Sequence, residues 1–257
     1  MMKTLSLNAE TIALYSKQLK TPSFNRYEDV IRQLDHDKGY EQFLIDLLKL
    51  ESSSRMESSQ KRRINIAKFP YIKTFDEMDL GRYEHVSEAT FHELASCDFV
   101  SKRQNIVMIG NTGRGKTHCS IALGIKACMQ GMNVKFYTAA NLSNELIEAM
   151  EYKRILKLER QLAKIDLLII DEASYITFNR HQSELLFKII ADRAEKRSVI
   201  VTTNLKFSEW PTLFENETMV AALIDRLTFR SHVLNMNGPS FRSEHSREHS
   251  KEGAVND

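Results

Sequence analysis

Short apolar runs alternate with longer segments of helical periodicity from about residue 70 onward. The apolar runs predict buried strands at residues 105–109, 134–138, 167–170, 198–203 and 232–236. The spacing of apolar residues predicts helices over 87–97, 117–129, 142–164, 183–196 and 219–229. Because strands that alternate with helices form parallel sheets, the pattern predicts an α/β fold with a parallel sheet flanked by helices.

The pattern before residue 70 is helical and contains no strand signal. An i, i+3, i+4, i+7, i+8 stripe predicts one amphipathic helix, and its members are Tyr40, Phe43, Leu44, Leu47 and Leu48. The stripe stops after Leu50, and the polar stretch that follows either extends the helix as a solvated arm or forms a linker. Phe69-Pro70 ends any helix, which puts a domain boundary near Lys68.

Three segments follow from this division. Residues 1–68 are expected to form a small N-terminal helical domain with a basic linker, and residues 69–242 the α/β domain. Residues 243–257 are polar and charged with hardly any apolar content, so we expect a disordered tail.

Composition excludes several classes of protein. Hydrophobic residues make up 42% of the 257 residues and the net charge is +2, so any basic surface must be local. Cys97, Cys119 and Cys128 have no disulfide or zinc spacing and are expected to be small buried side chains. No apolar run suits a signal peptide or a membrane span, so we expect a soluble, cytoplasmic protein without a membrane partner.

A glycine-rich turn follows the first predicted strand and opens the next helix. It reads Gly110-Asn-Thr-Gly-Arg-Gly-Lys116-Thr117, which matches the Walker A pattern in full. Glycines let successive backbone amides converge on phosphates, and the helix N-terminus adds its positive dipole end. Lys116 is expected to reach the β- and γ-phosphates of ATP, and the Thr117 hydroxyl to coordinate Mg²⁺. The predicted nucleotide-binding set is Gly110, Asn111, Thr112, Gly113, Arg114, Gly115, Lys116, Thr117 and His118.

The third predicted strand ends in two acids, as in a Walker B pattern. Asp171 is expected to hold Mg²⁺, directly or through a water, and Glu172 to act as general base on the attacking water. Asn204 follows the fourth strand, where it either forms a turn or contacts the γ-phosphate or the water.

Two arginines near the end of the chain are further candidates. Arg226 either pairs with Asp225 or reaches the γ-phosphate of a neighbouring subunit as an arginine finger. Arg242 follows the last strand and is a candidate for the phosphates of its own subunit.

These motifs resemble the IstB-like helper ATPases of insertion sequences, which belong with bacterial helicase loaders in the AAA+ class. The resemblance spans about residues 25–242 and is carried by the segments 110–118, 166–172, 202–210, 224–227 and 231–242. The segment Thr202-Thr-Asn204-Leu-Lys-Phe207-Ser-Glu-Trp210 is the most diagnostic. The chain departs from the family pattern at Asn111 and Arg114, where small residues or proline are usual, and Arg114 is expected to put a charge at the lip of the loop.

The resemblance implies a P-loop AAA+ core and an ATP-hydrolysing partner of a transposase. Such proteins bind double-stranded DNA without strong sequence preference, form homo-oligomers with ATP sites between subunits, and serve DNA recombination by transposition. The resemblance assigns Asn204 as the sensor asparagine, Arg226 as the trans-acting finger and Arg242 as the second sensor arginine.

Two local basic clusters are the candidates for DNA contact. The first contains Lys61, Arg62, Arg63 and Lys68, and the second contains Lys153, Arg154, Lys157, Arg160 and Lys164. On one continuous helix, residues 153, 157, 160 and 164 would share a face. Each cluster is either a solvated surface or a phosphate-tracking one.

Two other functions remain open from the sequence. A helicase loader has a similar core but would prefer single-stranded DNA and bind a helicase through its N-terminal segment. A P-loop kinase acting on a small molecule is the third reading, and Glu172 and Asn204 argue against it.

Overall fold

A computed structural model describes residues 7–33, 39–173, 179–193, 196–212 and 217–238. The chain divides into two compact units, Met1–Arg62 and Arg63–Asp257. No helix in the described ranges has the length and hydrophobicity needed to cross a bilayer.

The first unit is helical. Its described elements are α1 (Leu7–Leu19), a 3₁₀ turn (Pro22–Arg26), α2 (Tyr27–Gln33) and α3 (Tyr40–Ala67), which continues into the second unit. The buried Glu51 of α3 accepts a hydrogen bond from the Ser23 amide (3.1 Å) and binds Arg55. This carboxylate therefore ties α3 to the 3₁₀ turn.

The amphipathic helix expected from residue 40 onward is present, but its apolar stripe is only partly covered. Leu47 is buried, whereas Leu44 and Leu48 are about half exposed. The polar stretch after Leu50 continues as helix to Ala67, so the solvated-arm alternative is the correct one of the two. Lys68 then adopts a left-handed conformation (φ 63°), and Pro70 follows.

The second unit contains a five-stranded parallel sheet in the order β2-β3-β4-β1-β5. The strands are β1 (Asn105–Ile109), β2 (Val134–Thr138), β3 (Leu167–Asp171), β4 (Ser198–Thr203) and β5 (Ser231–Asn235). The helices of this unit are α4 (Glu88–Ala95), α5 (Asp98–Ser101), α6 (Lys116–Met129), α7 (Ala139–Glu151), α8 (Ile155–Ala163), α9 (Arg180–Arg193) and α10 (Glu217–Thr228). The predicted α/β class and its five strands are confirmed.

Alternate residues of β1 to β4 enter two separate hydrophobic cores, as expected for a sheet covered on both faces. Ile106 and Met108 belong to the core that includes α6, whereas Val107 belongs to the core that includes α7, α9 and α10. The carboxyl ends of β3, β4 and β1 are neighbours in this order, so the turns that follow them meet at one edge of the sheet.

The single helix predicted over 142–164 is wrong. The structure has two helices, α7 and α8, separated at Lys153, which is left-handed (φ 56°). The Lys153 amide donates to the carbonyl of Met150 (2.9 Å) and the Arg154 amide to that of Ala149 (2.6 Å). This pair of bonds is a Schellman motif, which ends a helix.

Candidate nucleotide site

The glycine-rich turn joins β1 to α6 at the carboxyl edge of the sheet. Gly113 (φ 80°) and Gly115 (φ 75°) are left-handed, a conformation that glycine adopts without steric cost, and α6 begins at Lys116. The Lys116 ammonium donates to the carbonyl oxygens of Gly110 (2.6 Å) and Asn111 (2.9 Å). The loop thus has the strand–turn–helix context that a phosphate-binding P-loop requires.

The start of the loop is held between the strands on either side of β1. The Gly110 amide donates to the carbonyl of Thr203, at the end of β4 (3.2 Å). On the other side, a Cβ on Gly110 would lie 2.6 Å from the backbone of Met236, just after β5. Only glycine fits this close approach, which is a packing role separate from phosphate binding.

Arg114 does not put a charge at the lip of the loop, and that expectation is wrong. Its side chain is 2% exposed, and its guanidinium donates to the carbonyl oxygens of Met236 and Asn237 (3.3 Å each). It also lies 5.6 Å from the ring centroid of Tyr83. Arg114 therefore ties the loop to the segment after β5, and Gly238 leaves room for it, since a Cβ there would lie 2.5 Å from the guanidinium.

The two candidate magnesium ligands are in contact. The Thr117 hydroxyl lies 3.0 and 2.9 Å from the two carboxylate oxygens of Asp171. Burial raises the pKa of Asp171, while hydrogen bonds from Thr202 and Thr117 oppose the rise. A hydroxyl and a carboxylate side by side are hard oxygen donors, and Mg²⁺ prefers this chemistry when phosphates and waters complete its shell. The residues present therefore fit Mg²⁺.

Glu172 and Asn204 meet at a cavity of about 270 Å³ that the P-loop also lines. Glu172 is exposed and left-handed (φ 58°). Its amide donates to the Thr202 hydroxyl (3.0 Å), which in turn donates to Asp171 (2.5 Å). Sequence reasoning missed Thr202, because a threonine within a buried strand carries no signal of its own.

Another wall of this cavity was also not predicted from the sequence. It is formed by the segment before β1, with Tyr71, Glu77, Met78, Asp79 and Tyr83 as lining residues. Burial raises the pKa of the Tyr83 phenol above its usual value. His118 packs against this segment, since its Nε2 lies 2.9 Å from the Thr74 carbonyl oxygen.

Of the two candidate arginines, only Arg226 lies within the described residues. Arg226 is exposed on α10, and its guanidinium lies 5.3 Å from the ring centroid of Phe187 on α9. Arg242 lies outside the described residues, as does the predicted tail 243–257.

The basic candidates lie on α3 and on the segment from the end of α7 into α8. Lys61 and Arg62 are exposed on α3, and Arg63 is partly buried. Lys153 and Arg154 are exposed in the turn between α7 and α8, where the Arg154 guanidinium lies 5.1 Å from the Tyr152 ring centroid.

The predicted shared face is wrong for Lys153, which lies outside α8, whereas Lys157 and Arg160 are both on α8, three residues apart. Lys157 lines a groove with residues of α7, and Arg160 lines another with residues of α9. The helix break at Lys153 removes the continuous periodicity on which that expectation depended.

Comparison with known protein families identifies the chain. Residues 16–249 match the model of the IstB-like ATP binding protein family. The chain belongs to this family. It is 33% identical over 209 residues to the insertion sequence IS21 ATP-binding protein of Pseudomonas aeruginosa, covering 81% of this chain and 79% of the relative. It is 34% identical over 212 residues to the insertion sequence IS5376 ATP-binding protein of Geobacillus stearothermophilus, covering 82% and 84%.

Solved structures confirm the architecture of the family's core in this chain. AMPPCP-bound DnaA from Aquifex aeolicus superposes with a TM-score of 0.56 at 16% identity, covering 66% of this chain and 51% of that one. DnaI superposes with a TM-score of 0.52 at 13% identity, covering 68% and 92%. The fold is a P-loop AAA+ core, as the resemblance implied, and the membership makes the protein an ATP-binding one.

Proposed function

We propose that the protein is an ATP-hydrolysing helper of transposition, which assembles on duplex DNA and recruits or stimulates the transposase of its insertion sequence. One observation carries the proposal. In a chain related to insertion-sequence ATP-binding proteins, Thr117, Asp171 and Glu172 converge beside the P-loop. This is the arrangement that hydrolysis requires, rather than nucleotide binding alone.

Each residue has a role that its position supports. Lys116 exchanges the loop carbonyls for the β- and γ-phosphates. Thr117 and Asp171 would hold Mg²⁺, which would neutralise phosphate charge. Glu172 accepts a proton from the attacking water, and Asn204, which also lines the cavity, orients that water or the γ-phosphate.

Arg226 is the residue that we assign to a neighbouring subunit's site. Its exposure on α10 leaves the guanidinium accessible to a second copy of the chain, and its stacking on Phe187 restricts its direction. An arginine supplied in trans makes hydrolysis depend on assembly.

The turn between α7 and α8 is the DNA contact that the structure supports best. Lys153 and Arg154 are exposed in this turn, and Lys157 is exposed in the first turn of α8. The Arg154 guanidinium also lies beside the Tyr152 ring. A cation cluster of this kind binds phosphates without reading sequence, and its affinity falls with salt. Lys61 and Arg62 form the second candidate surface.

ATP hydrolysis is tested first, with and without duplex DNA. We expect DNA to stimulate phosphate release, and Glu172→Gln to lower kcat by about 100-fold or more while ATP still binds. In a mixing experiment, Arg226→Ala subunits should be rescued in part by Glu172→Gln subunits, since each supplies what the other lacks. Full hydrolysis by Glu172→Gln would contradict the assignment of the base.

DNA binding and assembly are tested by fluorescence anisotropy and gel filtration with a non-hydrolysable ATP analogue. The double variant Lys153→Glu/Lys157→Glu should weaken duplex binding and flatten its salt dependence, whereas Lys102→Glu, an exposed lysine paired with Asp98, should not. A chain that stays monomeric with ATP analogue and duplex DNA would refute the helper function. Preference for single strands, without effect on a transposase, would favour a helicase loader.

A further inference from the structure

One side chain of β4 contacts both acids at the carboxyl end of β3, Asp171 and Glu172. The Thr202 hydroxyl is 1% exposed and donates to the Asp171 carboxylate (2.5 Å), while it accepts from the Glu172 amide (3.0 Å). The Thr202 carbonyl accepts from the amide of Ala173 (3.0 Å). A single residue therefore anchors three consecutive residues where the chain leaves the sheet.

A hydroxyl suits this position because it has one hydrogen and two lone pairs. The hydrogen is directed to Asp171, and a lone pair takes the Glu172 amide. Thr117, on the other side, also contacts the Asp171 carboxylate through its hydroxyl (2.9 Å). Asp171 is thus held between two hydroxyls, one from the P-loop helix and one from the neighbouring strand.

The conformation of Glu172 depends on the same anchor. Its backbone is left-handed (φ 58°), a conformation that is energetically unfavourable for a residue with a Cβ such as glutamate. Such a conformation persists only where surrounding contacts hold it, and it is common where a side chain must be aimed at a site. The bonds from the amides of Glu172 and Ala173 to Thr202 are these contacts, and Glu172 is one of the residues that line the nucleotide cavity.

We propose that Thr202 is a positioning residue for ATP hydrolysis, which sets the Asp171 carboxylate for Mg²⁺ and directs the Glu172 side chain into the cavity. The inference rests on the hydrolytic function proposed above. The Thr202 hydroxyl bonds to Asp171 and Glu172 and not to the P-loop amides, so its loss should spare nucleotide affinity measured without metal. It should affect the steps that need Mg²⁺ and the base.

Three variants of the full-length chain test the proposal. Thr202→Val keeps the shape of the side chain and removes the hydroxyl, whereas Thr202→Ser keeps the hydroxyl. Ser198→Ala is the matched control, because it removes another buried hydroxyl of β4, one that donates to the Phe99 carbonyl far from the acids (3.3 Å). For each variant, kcat, the Mg²⁺ concentration for half-maximal rate, and the Kd of a fluorescent ATP analogue in EDTA and in Mg²⁺ are measured.

Thr202→Val should lower kcat by about 10- to 100-fold and raise the half-maximal Mg²⁺ concentration. Its Kd in EDTA should stay within about twofold of the parent, while the tightening of that Kd by Mg²⁺ should be reduced. Thr202→Ser should recover kcat to within about threefold, and Ser198→Ala should leave all of these readouts unchanged.

Equal kinetics and equal metal response in Thr202→Val and the parent would overturn the positioning role. Equal losses in the valine and serine variants would also overturn it, because packing and not the hydroxyl would then be responsible. A parent chain that binds ATP but does not hydrolyse it refutes the proposed function separately. In that case the metal-dependent Kd still tests whether Thr202 sets Asp171, and no change in it would refute that part as well.

Discussion

Arg114 provides a direct test of whether the segment after β5 supports the P-loop. We consider Arg114→Met, which keeps an unbranched apolar stem and removes every donor. Two carbonyl oxygens, those of Met236 and Asn237, lose the guanidinium as a partner. Both donor–acceptor distances are 3.3 Å, at the long end for such bonds.

The expected change in the free energy of unfolding of Arg114→Met is the sum of two opposing contributions. A buried carbonyl left without its donor costs about 1–3 kcal/mol, and the long distances favour the lower end for both. The substitution also removes the desolvation penalty of a guanidinium that is 2% exposed, which offsets part of the loss. We therefore expect the free energy of unfolding to fall by about 2 kcal/mol, a decrease of roughly 4–8 °C in Tm for a chain of this size.

The assay combines urea unfolding without nucleotide with titration of a fluorescent ATP analogue. Because the loop would lose its attachment to the segment after β5, ATP affinity should fall by about 10-fold, which corresponds to about 1.4 kcal/mol. Arg160→Met is the control, since this arginine is exposed on α8 and its loss should change stability by less than about 0.5 kcal/mol. If Arg114→Met behaved like this control in both assays, the attachment would have no energetic role.

Two further predictions concern buried groups outside the site. Arg193 donates to the carbonyl oxygens of Leu162 (2.7 Å), Ile165 (3.0 Å) and Ser198 (3.1 Å), so Arg193→Met should lower the free energy of unfolding by about 3–5 kcal/mol in urea titrations. Arg197→Met, which breaks a partly exposed pair with Asp166, should cost under about 1 kcal/mol, and equal losses would contradict the assignment. Burial raises the pKa of Cys97 to about 11 and those of Cys119 and Cys128 to about 12. Because the thiolate is the reactive form, labelling by a disulfide reagent at about pH 8 should be slow in the folded protein and fast after denaturation, and rapid labelling of the folded chain would refute the burial.

The ends of α6 and α7 show what sequence reasoning could and could not predict about the fold. Both helices end in a Schellman motif with a left-handed residue. In α6 that residue is Gly131, which is a recognised helix-end signal, and the predicted end was confirmed. In α7 it is Lys153, a residue common inside helices, so nothing local distinguished the break from a continuing helix.

The nucleotide site also has features that the sequence predicted and features that it did not. The P-loop and the two acids at the carboxyl end of β3 could be located because their residue types and spacing follow directly from phosphate and metal chemistry. The direction of the Arg114 side chain could not be predicted, because its partners are carbonyl oxygens more than a hundred residues further along the chain. Every residue has a backbone carbonyl, so the sequence does not indicate which ones accept these bonds. The wall formed by the segment from Tyr71 to Tyr83 likewise depends on tertiary packing against a sheet that follows it in sequence.

The position of the loop between β4 and β5 has a consequence for how nucleotide is captured. Gly110 is bonded to Thr203 on one side and packed on Met236 on the other, while the Lys116 ammonium already rests on two carbonyl oxygens of the loop. The cradle is thus preorganised, so an arriving triphosphate replaces existing acceptors and does not have to order a mobile loop. Little of the binding free energy is then lost to conformational entropy, and more of it remains for conformational changes elsewhere in the protein.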